Sequence, residues 1–154
     1  MPFDAGRTIG NWNFFGRRNR EMHGKVYWNE LNTWDAEPAK DYYSKVFECE
    51  FEEMPGKTGE PSYWLAKKNG EPVAGIFTLR SPDFDGMPSH WFTYFAVEDI
   101  EASHAANKKA GGHAANKKAG GKVFRGPFEI PNVGTMAVVR DSTGAGFAMM
   151  QPAQ

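Results

Sequence analysis

Two stretches of this chain repeat one succession of signals: an alternating aromatic run, an acidic cap, then a helical stripe. The first is GKVYWNELNTWDAEPAKDYYSKVF, Gly24 to Phe47, and the second is HWFTYFAVEDIEASHAANKKAGG, His90 to Gly112. Alternation rich in aromatic and β-branched residues marks a strand, and apolar residues three and four apart mark a helix. Each stretch is followed by further strand-like runs split by Gly and Pro. The chain is therefore expected to fold as two copies of one small unit, with any ligand groove between them.

In the first copy, Lys25 to Thr33 reads as a strand and Asp35 as an N-cap. Pro38 is tolerable in the first turn, where amide donors lack intrahelical partners. Ala39, Tyr42, Tyr43 and Val46 then form one apolar stripe. Glu50 to Glu53 reads as a strand ending at Met54-Pro55-Gly56. Tyr63 to Lys67 and Pro72 to Leu79 read as a hairpin about Asn69-Gly70, a strong short turn signal. In the second copy, Trp91 to Val97 is a strand and Asp99 caps a helix starting near Ile100. Val123 to Phe128 is a further strand. Thr135 to Val139 and Gly146 to Gln151 form a closing hairpin.

The predicted class is α+β, with the order βαβββ occurring twice. Residues 1–22 are set apart as an N-terminal extension carrying Trp12, Phe14, Phe15, Arg17, Arg18 and Arg20. Its aromatics are expected to pack on the domain or on a partner chain. Residues 23–154 form one domain: module one at 24–80, a Pro/Gly/Asp-rich linker at 81–89, and module two at 90–152.

Composition narrows the function. At 154 residues, 40% apolar and 14% aromatic, the chain can bury a core and is too apolar to be disordered. The net charge of −1, with both signs mixed, leaves no nucleic-acid footprint. The lone Cys49 excludes an intrachain disulfide and reads as a small core hydrophobe. No apolar run approaches the ~20 residues of a membrane helix. The N-terminus lacks the apolar block of a signal peptide. Cytoplasmic location is the default expectation.

One feature is foreign to the unit pattern. HAANKKAGG occurs at His104–Gly112 and again, identically, at His113–Gly121. Structural repeats diverge, so identity at every position marks a recent or engineered duplication. Nine residues advance a helix by about two and a half turns, so a continuous helix would point the copies in opposite directions. It would also bury Gly111-Gly112 mid-helix, at roughly 1 kcal/mol each relative to Ala. One copy should therefore complete the helix, the first for preference, while the other bulges at the surface as a short helical excursion or loop. The paired His104 and His113 follow from the duplication and need no metal.

The residues also carry a pattern. VYWNELNTWDAEPAKDYYSKVF, HWFTYFAVEDIEASHAANKKAGG and GTMAVVRDSTGAGFAMMQP, in that order, resemble the glyoxalase/bleomycin-resistance/extradiol-dioxygenase superfamily, also called vicinal oxygen chelate proteins. The resemblance covers roughly residues 24 to 152 and looks nearest to a subgroup with a W-x-E-L first strand. It implies paired βαβββ modules in a curved mixed sheet, helices on the outer face, a small organic molecule on the concave face, and a homodimer. Metal-dependent members hold their ion with His, Gln or Glu at four positions on that face. By the resemblance these fall here on Trp28, about Gly75, Phe92 and Ala148, none of which ligates a divalent cation. The expectation is a site with no metal and no cofactor, which puts the superfamily's Lewis-acid and redox chemistry in doubt.

Strand alternation supplies the rest of the wall. With Trp28 facing the groove, Glu30 and Asn32 face it too, and Leu31 and Thr33 face the helix layer. Phe77, Phe92, Tyr94, Ala148 and Met150 complete an aromatic wall suited to a small molecule. Glu30 is the sharpest catalytic candidate, because burial among rings would raise its pKa and suit it to acid/base work. The competing reading is a structural Glu bonded to backbone, an Arg or the N-terminal arm. Trp28 and Phe92 would stack on a planar ligand or fill core, and Tyr94 would donate to a ligand. His90 and His23 read as surface residues. Three functions stay open: a metal-free binding protein; an enzyme, as a glyoxalase-like lyase, isomerase, epimerase or dioxygenase, with Glu30 as acid/base or a metal elsewhere; and a vestigial partner whose groove is plugged.

Overall fold

The structure is a computed structural model that describes residues 19–115, 117–119, 122–124 and 126–153. In chain order its elements are α1 (Asn19–Met22), β1 (Val26–Thr33), α2 (Ala36–Phe47), β2 (Glu50–Met54), β3 (Tyr63–Lys68), β4 (Glu71–Thr78), β5 (His90–Ala96), α3 (Ile100–Lys109), β6 (His113–Ala114), β7 (Lys117–Ala119), β8 (Lys122–Phe124), β9 (Phe128–Ile130), β10 (Gly134–Arg140) and β11 (Gly146–Pro152). The class is α+β with mixed strand pairing, as the sequence implied. The described residues fall into two compact units, Trp28–Phe92 and residues 19–27 with 93–153, so the chain crosses between them within β1 and again within β5. Most of the N-terminal extension lies outside the described residues.

In the first unit, strands run in the order β2-β3-β4-β1. β1 is parallel to β4, and β2·β3 and β3·β4 are antiparallel. The β3–β4 turn is Asn69-Gly70, both at positive φ (50° and 79°), as a two-residue hairpin demands. Asp35 caps α2 by accepting from the Glu37 amide at 3.2 Å. Glu48 ends it in the left-handed region, donating its amide to the Ser44 carbonyl. Ala36, Ala39 and Tyr43 of α2 pack on Leu31, Ile76, Phe51 and Trp64. Leu31 thus faces the helix, as alternation required.

In the second unit, β5 is parallel to β11, and β11 is antiparallel to β10. α3 is capped by Asp99, whose carboxylate accepts from the Ala102 amide at 3.0 Å. The Gln151 Oε1 accepts from the Ile100 amide at 2.9 Å, satisfying a second orphan donor. Val97, Ile100, Ala137, Val139 and Met149 form the core here, with Phe147 against them.

The duplicated nonapeptide adopts two structures. The first copy continues α3 to Lys109 and stops at Gly111, whose φ of 87° is the usual glycine C-terminal conformation. His104 of that copy is buried and His113 of the second is exposed. The second copy supplies β6, which pairs with β10, and β7, which pairs with β8. The expected helical excursion or loop is therefore corrected to short strands. The second unit also departs from a plain βαβββ order. Among the described residues six strands follow α3, and the predicted Val123–Phe128 strand divides into β8 and β9 around Pro127. Proline lacks the amide donor that a continuous ladder needs.

Candidate functional site

The face of the first unit opposite α2 is set by register. Glu30 pairs with Gly75 and Asn32 with Phe77 across β1·β4, and Gly75 pairs with Leu65 across β4·β3. With period-2 alternation, Trp28, Glu30, Asn32, Tyr63, Leu65, Gly75 and Phe77 share this face.

A buried hydrogen-bonded chain runs along it. The Trp28 indole N–H donates to the Tyr63 hydroxyl at 3.0 Å. That hydroxyl donates to Glu30 Oε2 at 2.8 Å. Glu30 is 2% exposed and Tyr63 1%, so both partners sit outside water. Burial, then the negative charge of Glu30, push the Tyr63 phenol well above its usual 10.0; the indole bond opposes this and the bond to Glu30 adds to it. Tyr63 fits because position 75 is glycine: a Cβ there would collide with the phenol oxygen. A metal set does not fit this place. Gly75 has no donor, the space beside it holds a phenol, and Trp28 and Phe92 carry no ligating group. Among the described residues no cluster of three or more His, Cys, Asp or Glu stands where it would hold an ion.

Asn32 is buried and lies 3.2 Å from His90 through Nδ2 and Nε2. The His90 Nδ1 is 2.8 Å from the Pro88 carbonyl, an acceptor. Nδ1 therefore carries the proton, and Nε2 is free to accept from Asn32. Among the described residues the Asn32 Oδ1 has no hydrogen-bond partner. Phe92 meets His90 edge to face at 6.2 Å, and Phe77 meets Phe84 likewise at 5.7 Å.

The first unit thus gathers Trp28, Glu30, Asn32, Phe77 and Phe92, while Tyr94, Ala148 and Met150 lie in the second. There Tyr94 pairs with Ala148 and Ala96 with Met150. Tyr94, Ala148 and Met150 are all buried, on the face opposite the Met149 core. Sequence reasoning missed Tyr63 and gave His90 no role. The glycine at 75 beside a carboxylate strand was the available sign that a large side chain fills the gap.

Comparison with known proteins bears on this arrangement. No family model matches the chain. It is 33% identical over 152 residues, 97% of its length, to CFP32 of Mycobacterium tuberculosis, a protein bearing a glyoxylase name. It is 29% identical over 139 residues, 82% of its length, to the anthracycline biosynthesis protein DnrV of Streptomyces peucetius. The chain spans about half the length of the curated relatives it matches, 53% and 46% respectively. Among solved structures, methylmalonyl-CoA epimerase from Mycobacterium tuberculosis shares the fold at a TM-score of 0.57 and 12% identity, covering 86% of this chain and 91% of that one. A homoprotocatechuate 2,3-dioxygenase from B. fuscum aligns at 0.52 and 13%, covering 82% of this chain and 32% of that one. The glyoxylase and anthracycline relatives, together with the shared mixed α+β fold, make the chain similar to proteins of the glyoxalase/bleomycin-resistance/extradiol-dioxygenase superfamily.

Proposed function

We propose that this protein binds a small, planar organic molecule against the aromatic face of Trp28, Phe77 and Phe92, without a metal. The carrying observation is the Trp28–Tyr63–Glu30 chain. Its terminal carboxylate already accepts the phenol proton in a buried site, which suits an anchor better than a base. Its other end pins the indole, so Trp28 needs little ordering to stack on a ligand. Trp28, Phe77 and Phe92 are half-buried and offer surface. Glu30, Asn32, Tyr94, Ala148 and Met150 are packed and act as support. A relative named for anthracycline biosynthesis is consistent with a flat ligand.

The second reading is a glyoxalase-like lyase or isomerase with Glu30 as its acid/base. The glyoxylase name of a relative is the observation on its side. Two measurements separate the readings. Elemental analysis after gentle purification should find no stoichiometric Zn, Ni, Mn or Fe; one equivalent of any would move the case to the enzyme. Screening planar aromatic compounds by Trp fluorescence should find binding that Trp28→Ala weakens at least tenfold. Glu30→Gln should weaken it less and remove no turnover, whereas an enzyme would lose its activity.

We further propose that two copies pair in solution, as the resemblance to the superfamily implies. Among the described residues no helix is long and apolar enough to cross a membrane.

A further inference from the structure

The opposite face of the first unit holds a cavity of about 420 Å³ that the reading above does not use. Its origin lies in residue size. Ala66 of β3 and Ala74 of β4 are paired neighbours, and Phe51 of β2 pairs with Ala66. Two methyl groups side by side leave a hollow in the sheet, under the C-terminal half of α2. Tyr43 and Phe47 of α2 form one wall, their rings within 15° of parallel. Trp91 forms a second wall, at 83° to the Tyr43 ring. Ile76 lies beside them.

The hollow is held open. The Lys68 ammonium, at the end of β3, donates to the Phe47 carbonyl and to Glu48 Oε2, both at 3.0 Å. The Ser44 hydroxyl donates to the Cys49 carbonyl at 3.0 Å. These bonds fix the end of α2 at a set height above the sheet. Phe47 stays 57% exposed and Trp91 49% exposed, instead of collapsing inward.

The polar groups around the cavity are already engaged. The Tyr43 hydroxyl accepts the Trp91 N–H at 3.1 Å, and Lys68 pairs with Glu48. A charged ligand would lose its hydration, and an anion would have to compete with the Glu48 carboxylate for Lys68. An apolar cavity of about 150 Å³ takes up benzene, so this volume suits two or three fused rings. Flat walls meeting at a right angle suit a flat occupant. We propose that this cavity is a second binding site, for an uncharged, planar, two- to three-ring apolar molecule. It is independent of the Trp28–Glu30 face.

The test uses naphthalene, with 2-naphthoate as the charged counterpart, and methyl NMR of the full chain. Naphthalene should shift the Ala66, Ala74 and Ile76 methyl signals saturably, with 2-naphthoate at least tenfold weaker. Ala74→Phe should fill the hollow and weaken naphthalene binding at least tenfold. Trp91→Ala, at an exposed position, should weaken it at least fivefold and guards against misfolding of the first variant. Glu30→Gln should leave it within twofold. Absence of saturable shifts, equal binding of naphthoate, or full affinity in either cavity variant would overturn the proposal. So would ligand-free shifts of Phe47 and Trp91 that follow protein concentration, which would place a second copy on this face.

Discussion

Tyr63 is the residue on which the first unit turns. The folded protein keeps its phenol proton at pH values where the unfolded chain has released it, because burial and then Glu30 raise its pKa well above 10.0. Stability from this group is complete below pH 10.0 and declines as pH rises past it, at about 1.4 kcal/mol per pH unit. Urea titrations at pH 7 and pH 11 should therefore differ more in the wild type than in Tyr63→Phe. At pH 7 that variant should lose about 1–3 kcal/mol, because Trp28 and Glu30 lose a buried partner. Gly75→Ala should cost a similar 1–3 kcal/mol by overpacking against the phenol, read from the denaturation midpoint. The burial of Glu30 was legible, since alternation fixed its face. Its partner was not, because which residue of β3 stands over Gly75 depends on the register of a second hairpin.

At the scale of elements, the nonapeptide is the sharpest lesson. One sequence is helix in its first copy and strand in its second. Propensity is the same in both, so context decides. The first copy inherits the Asp99 cap and presents His104 to a buried position. The second begins after Gly111 has stopped the helix, and β10 offers it an open edge at Val139 and Arg140. Deleting residues 113–121 should leave α3 intact and unfolding cooperative, as circular dichroism would show. Asp99→Ala should cost about 1 kcal/mol, since it unties the cap that starts α3. Caps and the Asn69-Gly70 turn were readable because each is set by residues adjacent in sequence, whereas the expected α2 stripe is corrected to Ala36, Ala39 and Tyr43, since Tyr42 and Val46 stay exposed. The extended form of the second copy was not, because its partners Val139 and Arg140 lie in β10, far along the chain.

For the whole molecule, the pairing proposed above predicts that sedimentation at micromolar concentration gives about twice the 17.2 kDa chain mass; a monomer at every concentration would refute it. The sequence by itself determined the α+β class, the capped helices and which residues of each strand share a face. Those follow from local periodicity and cap chemistry, which need only near neighbours. The tertiary structure decided which side chains meet: Tyr63 on Glu30, His90 on Asn32, Lys68 on the end of α2, and two alanines that leave a hollow. Such meetings depend on register between strands distant in sequence, and packing volume settles that register only once the sheet is assembled.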